Sequence, residues 1–443
     1  MHGDREMSSR INQHRTAART LKTVKAALVA LSLATLAACN ELLNVDNPAS
    51  VTEQSLGDPT LVPALAAAAI QTAQCGVESF IITGGVLSGE YWSAAGLVDN
   101  HTWEWRSVGD IMNAPGSCTF GRGTSAMGFY TPLQQARFQL EDAFARLDKF
   151  TDADVPNRGL LMAQMRAYTG YALLLLAEGM CDMTIDRGPK MTAAQVLAIA
   201  DDRFTDAINR ATALNNSSLL NMARVGRART RLDLKKLPEA AADANLVPAN
   251  FVYNIEFTDG GDARRENRIY NMTIRNDYES VAPAYQNLTV NGVAGSVPDP
   301  RVKAKQPSPP RNGNDGITPM WQQQKFIAQA GGTPIPLASW NEAQLIYAEA
   351  VGGQQGFDAI NRVRTANSVP VLTGPVPTAQ AFTDLVLEER RRQLFSEGQR
   401  YSDMLRYNLP FQSGVNRKGQ VYSSLTCVPL PNVEVLNNPN FGG

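Results

Sequence analysis

The sequence predicts a mainly α-helical protein of stacked antiparallel helical pairs, interrupted by irregular segments and short β excursions. Three observations carry this. Apolar residues recur at spacings of three and four from Tyr130 to about residue 250. Small residues line helix faces on both sides of a Leu237-Pro238 turn. Helical periodicity returns at Ser339 and lasts to about residue 408, after a stretch rich in Asn, Gly, Pro and Asp. With 443 residues, 44% of them hydrophobic, the chain can bury a large core.

The N-terminus reads as an export signal. Basic residues end at Lys25, and the apolar run AALVALSLATLAA fills 26–38, too short to cross a bilayer. Leu36-Ala37-Ala38-Cys39 has the pattern of a bacterial lipobox, so Cys39 is expected to be lipidated and to become the first mature residue. Multiple acyl chains hold a protein on a membrane where one does not. Asn40, rather than aspartate, favours the outer membrane. Met7 is an alternative start. Residues 1–38 carry six basic and two acidic side chains, so their removal takes the net charge from −1 to −5. That balance argues against non-specific nucleic-acid binding. No later stretch is expected to span a membrane.

Residues 39–57 read as a tether and 58–443 as one domain. A helix is expected over 61–73, and 76–128, rich in Gly, Ser and aromatics, reads as irregular or partly helical. The helical scaffold then covers about 130–250 and 339–408. Its first helix starts near Thr131-Pro132, as N-cap and first-turn proline. Further helices follow at about 157–179 and 192–213, with two more between Leu219 and Val247. The last pair has the length and small-residue rhythm of a tetratricopeptide unit, with Ala223, Gly226, Ala228 and Leu232 on one face. The excursion at 250–335 holds the β-prone runs FVYNIEF and QQKFIAQ. Ser339 with Glu342 three residues on reads as a capping box. The tail after Asn408 is proline-broken.

Exclusions follow from composition. His2 and His14 lie in the export segment, which leaves His101 as the mature protein's histidine, read as a solvent-exposed loop residue. A His-based triad or a zinc site would rest on it alone, and no CxxC, GxSxG or HExxH occurs. The GRG at 121–123 lacks the rest of a phosphate loop, and TDGGDARRENR lacks EF-hand order. No metal, cofactor or catalytic residue is expected. Cys75, Cys118, Cys181 and Cys427 allow three pairings in an oxidising compartment. Cys75–Cys118 with Cys181–Cys427 is the expected one, because it closes one local loop and clips the tail to the helices.

The stretch LEERRRQLFSEGQRYSDMLRYN at 387–408 is dense in Glu, Asp and Arg. Glycosidase chemistry needs two carboxyls about 5–10 Å apart. Glu389 and Glu397, read on one helix, would stand about 12 Å apart. Arg390, Arg392 and Arg400 at neighbouring positions are expected to neutralise them, Gly398 to end the helix, and Asp403 to pair with Arg406. This reads as a clamp, not an active site.

These residues also carry a resemblance. Glu389, Arg390, Leu394, Glu397, Gly398, Arg400, Asp403 and Arg406 fit the ERxxEL-xxEG-xRxxDLxR signature of the SusD/RagB family. Asn341 to Ala350 resembles its E-x-x-L-I-x-A-E-A helix, Asp358 to Arg364 its LNxVRxRA segment, and Val428-Pro429-Leu430-Pro431 with Asn437–Asn440 its closing segment. Gln393, Gln399, Tyr401 and Tyr407 depart from the usual residues. The resemblance implies a SusD-like helical superhelix on an outer-membrane lipoprotein facing the cell exterior. It implies no catalysis. It also implies capture of a nutrient oligomer, a glycan being the expected one, for a SusC-like TonB-dependent transporter. The competing readings are a tetratricopeptide-type envelope scaffold without small ligand and a glycoside hydrolase.

Sugar recognition needs aromatic faces and a few polar groups. The richest such segment is YWSAAGLVDNHTWEWR at 91–106. It nominates Tyr91, Trp92, His101, Trp103 and Trp105 as a platform, with Asp99, Asn100 and Arg106 as hydrogen-bonding groups. Trp340, at a helix start, reads as structural, and Trp321 as a weaker candidate.

Overall fold

The first helix, α1 (Val62–Leu87), opens with a proline in its first turn and runs 26 residues, well past the expected end at residue 73. The computed structural model describes residues 55–118, 127–260, 265–292, 295 and 297–441. The lipobox with Cys39, the tether up to residue 54 and GRG at 121–123 lie outside them. A single-turn 3-10 helix, Ser55–Gly57, belongs to the N-terminal unit; the rest concerns the unit that begins at Asp58.

The extension of α1 makes the first part of 76–128 helical, one of the two readings that segment allowed. Its glycines do not break the helix; they let neighbours come close. A Cβ on Gly76 would stand 2.8 Å from Leu133, and one on Gly85 2.8 Å from Tyr91. After α1 come β1 (Tyr91–Ser93) and two short helices, α2 (Val98–Glu104) and α3 (Val108–Asn113).

The helical pairs follow: α4 (Tyr130–Leu147), α5 (Arg158–Gly179), α6 (Ala193–Ala213), α7 (Ser217–Asp233) and α8 (Leu237–Asn245). α4 begins one residue before Thr131, and no side chain caps it; the Thr131 N–H is used by the Pro115 carbonyl at 2.9 Å. α6 has a full capping box from Thr192 and Gln195, and Asn216 caps α7. Successive helices pack on one another, α5 along α6 and α6 along α7, while α1 packs along α4 and α5. Phe204 shows why small residues matter here. Its ring lies against both Gly170 of α5 and Gly226 of α7, where a methyl group would collide with it.

α1 and α5 are long and apolar enough to cross a membrane, contrary to the expectation that no later stretch would be. Most of each apolar window is buried against the rest of the protein, 56% and 78%. Both are core helices, apolar nearly all round because they are covered all round.

Among the described residues, the β excursions are three antiparallel pairs. β2 (Val252–Ile255) pairs with β6 (Ile335–Ser339), β1 with β3 (Glu279–Val281), and β4 (Ala304–Lys305) with β5 (Gln322–Gln323). α9 (Trp340–Val351) then packs on α8 and α10 (Gly353–Ala366). Ser339 caps α9 by accepting the Glu342 N–H at 3.1 Å. The Glu342 carboxylate turns into the core instead of closing a box and accepts from Gln399 at 2.9 Å.

The charged stretch folds as α11 (Ala379–Gln393), a turn, and α12 (Gln399–Arg406). Gly398 is not the residue that ends α11. It lies at φ +78° immediately before α12. Glu389 and Glu397 therefore do not share a helix, and their partners come from elsewhere. Glu389 binds Arg301 and Arg364, each at 2.6 Å, and Glu397 binds Lys325 at 2.6 Å. Arg390 reaches Asp403 at 2.9 Å, and Arg406 holds Asp403 at 2.7 Å, the expected pair, and also Glu349. Leu394 is buried in a second core with Leu345, Phe382 and Val386. Arg400 enters no ion pair among the described residues. The stretch is a clamp, as expected, neutralised partly within itself, Glu388 by Arg391 and Arg392 and Asp403 by Arg390 and Arg406, and partly by Asp299, Arg301, Lys325, Glu349 and Arg364 from elsewhere in the chain.

The tail is tied down. Disulfides join Cys75 to Cys118 and Cys181 to Cys427, the expected pairing. Beside the second, Val428 bridges Met180, and the Cys181 N–H donates to the Val428 carbonyl at 2.8 Å. A short α13 (Asn432–Asn437) ends the chain near α3, with Asn432 donating to Asn113 at 2.7 Å.

Candidate functional site

The nominated segment 91–106 divides into a buried half and a surface half. Tyr91 is fully buried, and its hydroxyl meets the Ser396 hydroxyl at 2.5 Å. Trp103, 1% exposed, packs into the main core against Phe129. Asn100 is buried and donates to Glu279 at 3.3 Å. Arg106 is buried beneath the tail, where it donates to the carbonyls of Gln412 at 2.6 Å and Ser423 at 2.8 Å. These four are structural in this conformation and are corrected as ligand contacts. The cause is local. Residues 98–104 are helical, so the backbone turns about 200° between positions two apart. Trp103 and Trp105 therefore diverge, one inward and one outward.

The surface half holds Trp92, Asp99, His101 and Trp105. Trp92 and Trp105 are partly exposed and lie outside both buried clusters. His101 stacks on Trp105 with ring centroids 6.0 Å apart and planes 21° apart. It is half-buried on α2, which corrects its reading as an exposed loop residue. The Arg417 guanidinium lies over the Trp92 ring at 4.6 Å. Trp321 and Trp340 pack against the main core instead.

Glu104 organises this surface from below. It accepts from the Ser93 N–H at 2.9 Å, from the Tyr422 hydroxyl at 3.2 Å, and from both Arg417 amines. Arg417 also donates to Thr318 at 2.8 Å. Next to it, Lys418 bridges Asp315 at 2.6 Å and His101 Nδ1 at 2.5 Å. Burial and then the Lys418 ammonium push His101 down to about 4. Burial alone would raise Asp315, but hydrogen bonds from Lys418 and Thr318 outweigh it and hold the carboxyl below its ordinary value. Burial, followed by the nearby Glu104 charge, drives Glu279 well above the carboxylate range.

Asp315, Arg417, Lys418 and Tyr422 were missed in the sequence because they lie over 200 residues away. The signal was an Asn-Arg-Lys-Gly turn at 416–419 between Val415 and Val421, which bridge as a hairpin.

Beside the platform, α2, α3 and residues 114–117 enclose a cleft of about 290 Å³ lined by Val98, Asp99, Thr102, Asp110 and Asn113. A larger groove of about 450 Å³ runs over α4 and α6 past Phe138, Glu141 and Arg203. Its charges are paired, Arg203 with Glu141 at 2.6 Å and Arg137 with Asp186 at 2.5 Å, and Phe138 is its one aromatic lining residue. The 91–106 surface is the one that combines several rings with polar groups at their edges. Its acid, Glu104, is saturated by hydrogen bonds, and its histidine has Nδ1 occupied, so neither is set up as a hydrolytic pair.

Fold and surface together define a helical-pair protein with a partly exposed aromatic surface. Residues 256–424 match the SusD family model, SusD_RagB. The fold is similar to a SusD-like carbohydrate-binding protein from Bacteroides vulgatus, with TM-score 0.62 at 13% identity over 85% of this chain and 97% of that one. It is similar to a SusD superfamily protein from Bacteroides fragilis, with TM-score 0.61 at 14% identity over 87% and 99%. A laminarin-binding SusD-like protein aligns with TM-score 0.54 at 14% identity over 86% and 98%. Comparison with curated protein sequences finds no match. The C-terminal part of the chain thus matches the SusD family model, and the fold as a whole is SusD-like.

Proposed function

We propose that the protein is an outer-membrane lipoprotein, anchored through Cys39 and facing the cell exterior, that captures an oligosaccharide and delivers it to a SusC-like TonB-dependent transporter. It binds and does no chemistry. The observation that carries the reading is the partly exposed Trp92, Trp105 and His101 group on a SusD-like scaffold. Aromatic faces cover the apolar faces of sugar rings, and edge polar groups take the hydroxyls. The similarity to proteins described as carbohydrate-binding and laminarin-binding supports the ligand class. The lipobox supports the anchor, and the match of residues 256–424 to the SusD family model supports the transporter as partner.

Two measurements test it. A panel of oligosaccharides titrated into the full chain should give binding without hydrolysis. Affinity purification from its own membranes should bring down a large β-barrel. Hydrolysis of a bound glycan would sink the non-enzymatic reading, and absence of a barrel from the purified material would sink the transporter as partner.

A further inference from the structure

Lys418 sits at the turn of the Val415–Val421 hairpin with its ammonium 2.5 Å from His101 Nδ1 and 2.6 Å from Asp315. An ammonium only donates, so Nδ1 is the bare nitrogen of the ring and the proton is on Nε2. The low pKa of about 4 keeps the ring neutral at ordinary pH. Among the described residues, no protein group accepts from Nε2. Since the ring stacks on Trp105, this N–H lies at the rim of an aromatic surface.

The charges around it cancel. Arg417 is matched by Glu104 and Lys418 by Asp315. Arg106 is committed to tail carbonyls, and Glu279 is fully buried, with its carboxyl driven well above the ordinary range by that burial. Asp99 is exposed and adds a negative charge. Nothing here offers a surplus cation to a uronate, sulfate or phosphate.

We propose that this surface is a subsite for an uncharged sugar, in which Lys418 fixes His101 as the Nε2–H tautomer and that N–H donates to an oxygen of a sugar packed beside it on Trp105. His101 and Trp105 are binding residues; Lys418 is a positioning residue. The proposal rests on the glycan-capture reading.

The test has two arms on the full chain. Nitrogen-15 NMR of the histidine side chains, with His101 assigned by its loss in His101→Gln, should show bare Nδ1 and protonated Nε2 from pH 5 to 8. Lys418→Met should mix the tautomers. A protonated Nδ1 in the parent protein overturns the proposal. In the second arm, uncharged hexasaccharides (laminari-, malto-, xylo- and manno-) and an oligogalacturonate of matched length are titrated. An uncharged probe should bind more tightly than the oligogalacturonate. Lys418→Met should weaken it about 5- to 10-fold, the scale of one hydrogen bond. His101→Gln, which keeps a donor near the Nε2 position, should retain more affinity than His101→Asn. Tighter binding of the oligogalacturonate overturns the uncharged-sugar assignment. Binding of no probe, with the tautomer as expected, sinks glycan capture and the subsite with it.

Discussion

Glu389 and Arg364 form an ion pair at 2.6 Å in which both side chains are fully buried. It joins α11 to α10, and Arg301 adds a second arginine to the same carboxylate from the excursion at 250–335. The arginine-rich signature thus works through charges that meet only after folding.

Removing one partner should therefore be costly. Glu389→Ala leaves the buried Arg364 without a carboxylate and Arg301 with Asp299 alone, and should destabilise the protein by about 3–5 kcal/mol in urea unfolding. Glu388→Ala should cost about 1 kcal/mol or less, since that residue is part-exposed and pairs within its own helix. Equal losses at both positions would contradict the clamp.

Trp103 in α2 and Trp105 just past its end should separate cleanly. Trp103→Ala should lose about 3–5 kcal/mol of stability, as expected for a buried aromatic. Trp105→Ala should leave the midpoint nearly unchanged and weaken oligosaccharide binding. Thermal unfolding and calorimetric titration of both variants check this.

The disulfide between Cys181 and Cys427 holds the tail that supplies Arg417, Lys418 and Tyr422. Its removal by Cys181→Ser with Cys427→Ser should cost about 2–4 kcal/mol. Hydrogen exchange should rise over the 414–430 segment before the helices open. Uniform exchange throughout would show that the tail does not depend on this bridge.

Stability should also fall as pH rises through one window. Burial pushes Glu90 up to about 7 from an ordinary value of 4.5, against the Ser396 N–H, which favours the charged form. Below 4.5 the carboxyl is protonated whether the chain is folded or not. Between 4.5 and 7 the unfolded chain releases the proton while the folded one retains it, so stability contributed by this group is lost with rising pH and levels off above 7. Glu342, also raised to about 7, adds in the same direction. Glu90→Gln should flatten that part of a urea stability profile; an unchanged slope would show that Glu90 does not contribute.

Much of the helical scaffold was legible because a 3.6-residue period is local. α4 to α8 and α9 to α11 all lie where the apolar spacing puts them. α1 was cut short because Gly76, Gly84 and Gly85 look like breakers when nothing shows what packs on them. Thr131 is no cap because the helix starts one residue earlier, at Tyr130, and places Thr131 inside its first turn. The candidate site was half legible. Two tryptophans separated by one residue share a face in a strand and diverge in a helix, and seven helical residues give too short a period to decide. The pairs of Glu104 with Arg417 and Asp315 with Lys418 span about 100 or more residues, and no local pattern encodes them.

The most direct test of the central claim is oligosaccharide titration of the full chain beside Trp92→Ala, Trp105→Ala and the double variant. Binding by the parent protein, weakened about 10-fold or more in the double variant at unchanged folding, is the result expected of an aromatic capture surface. Undiminished binding by a folded double variant would place glycan recognition elsewhere and contradict the account.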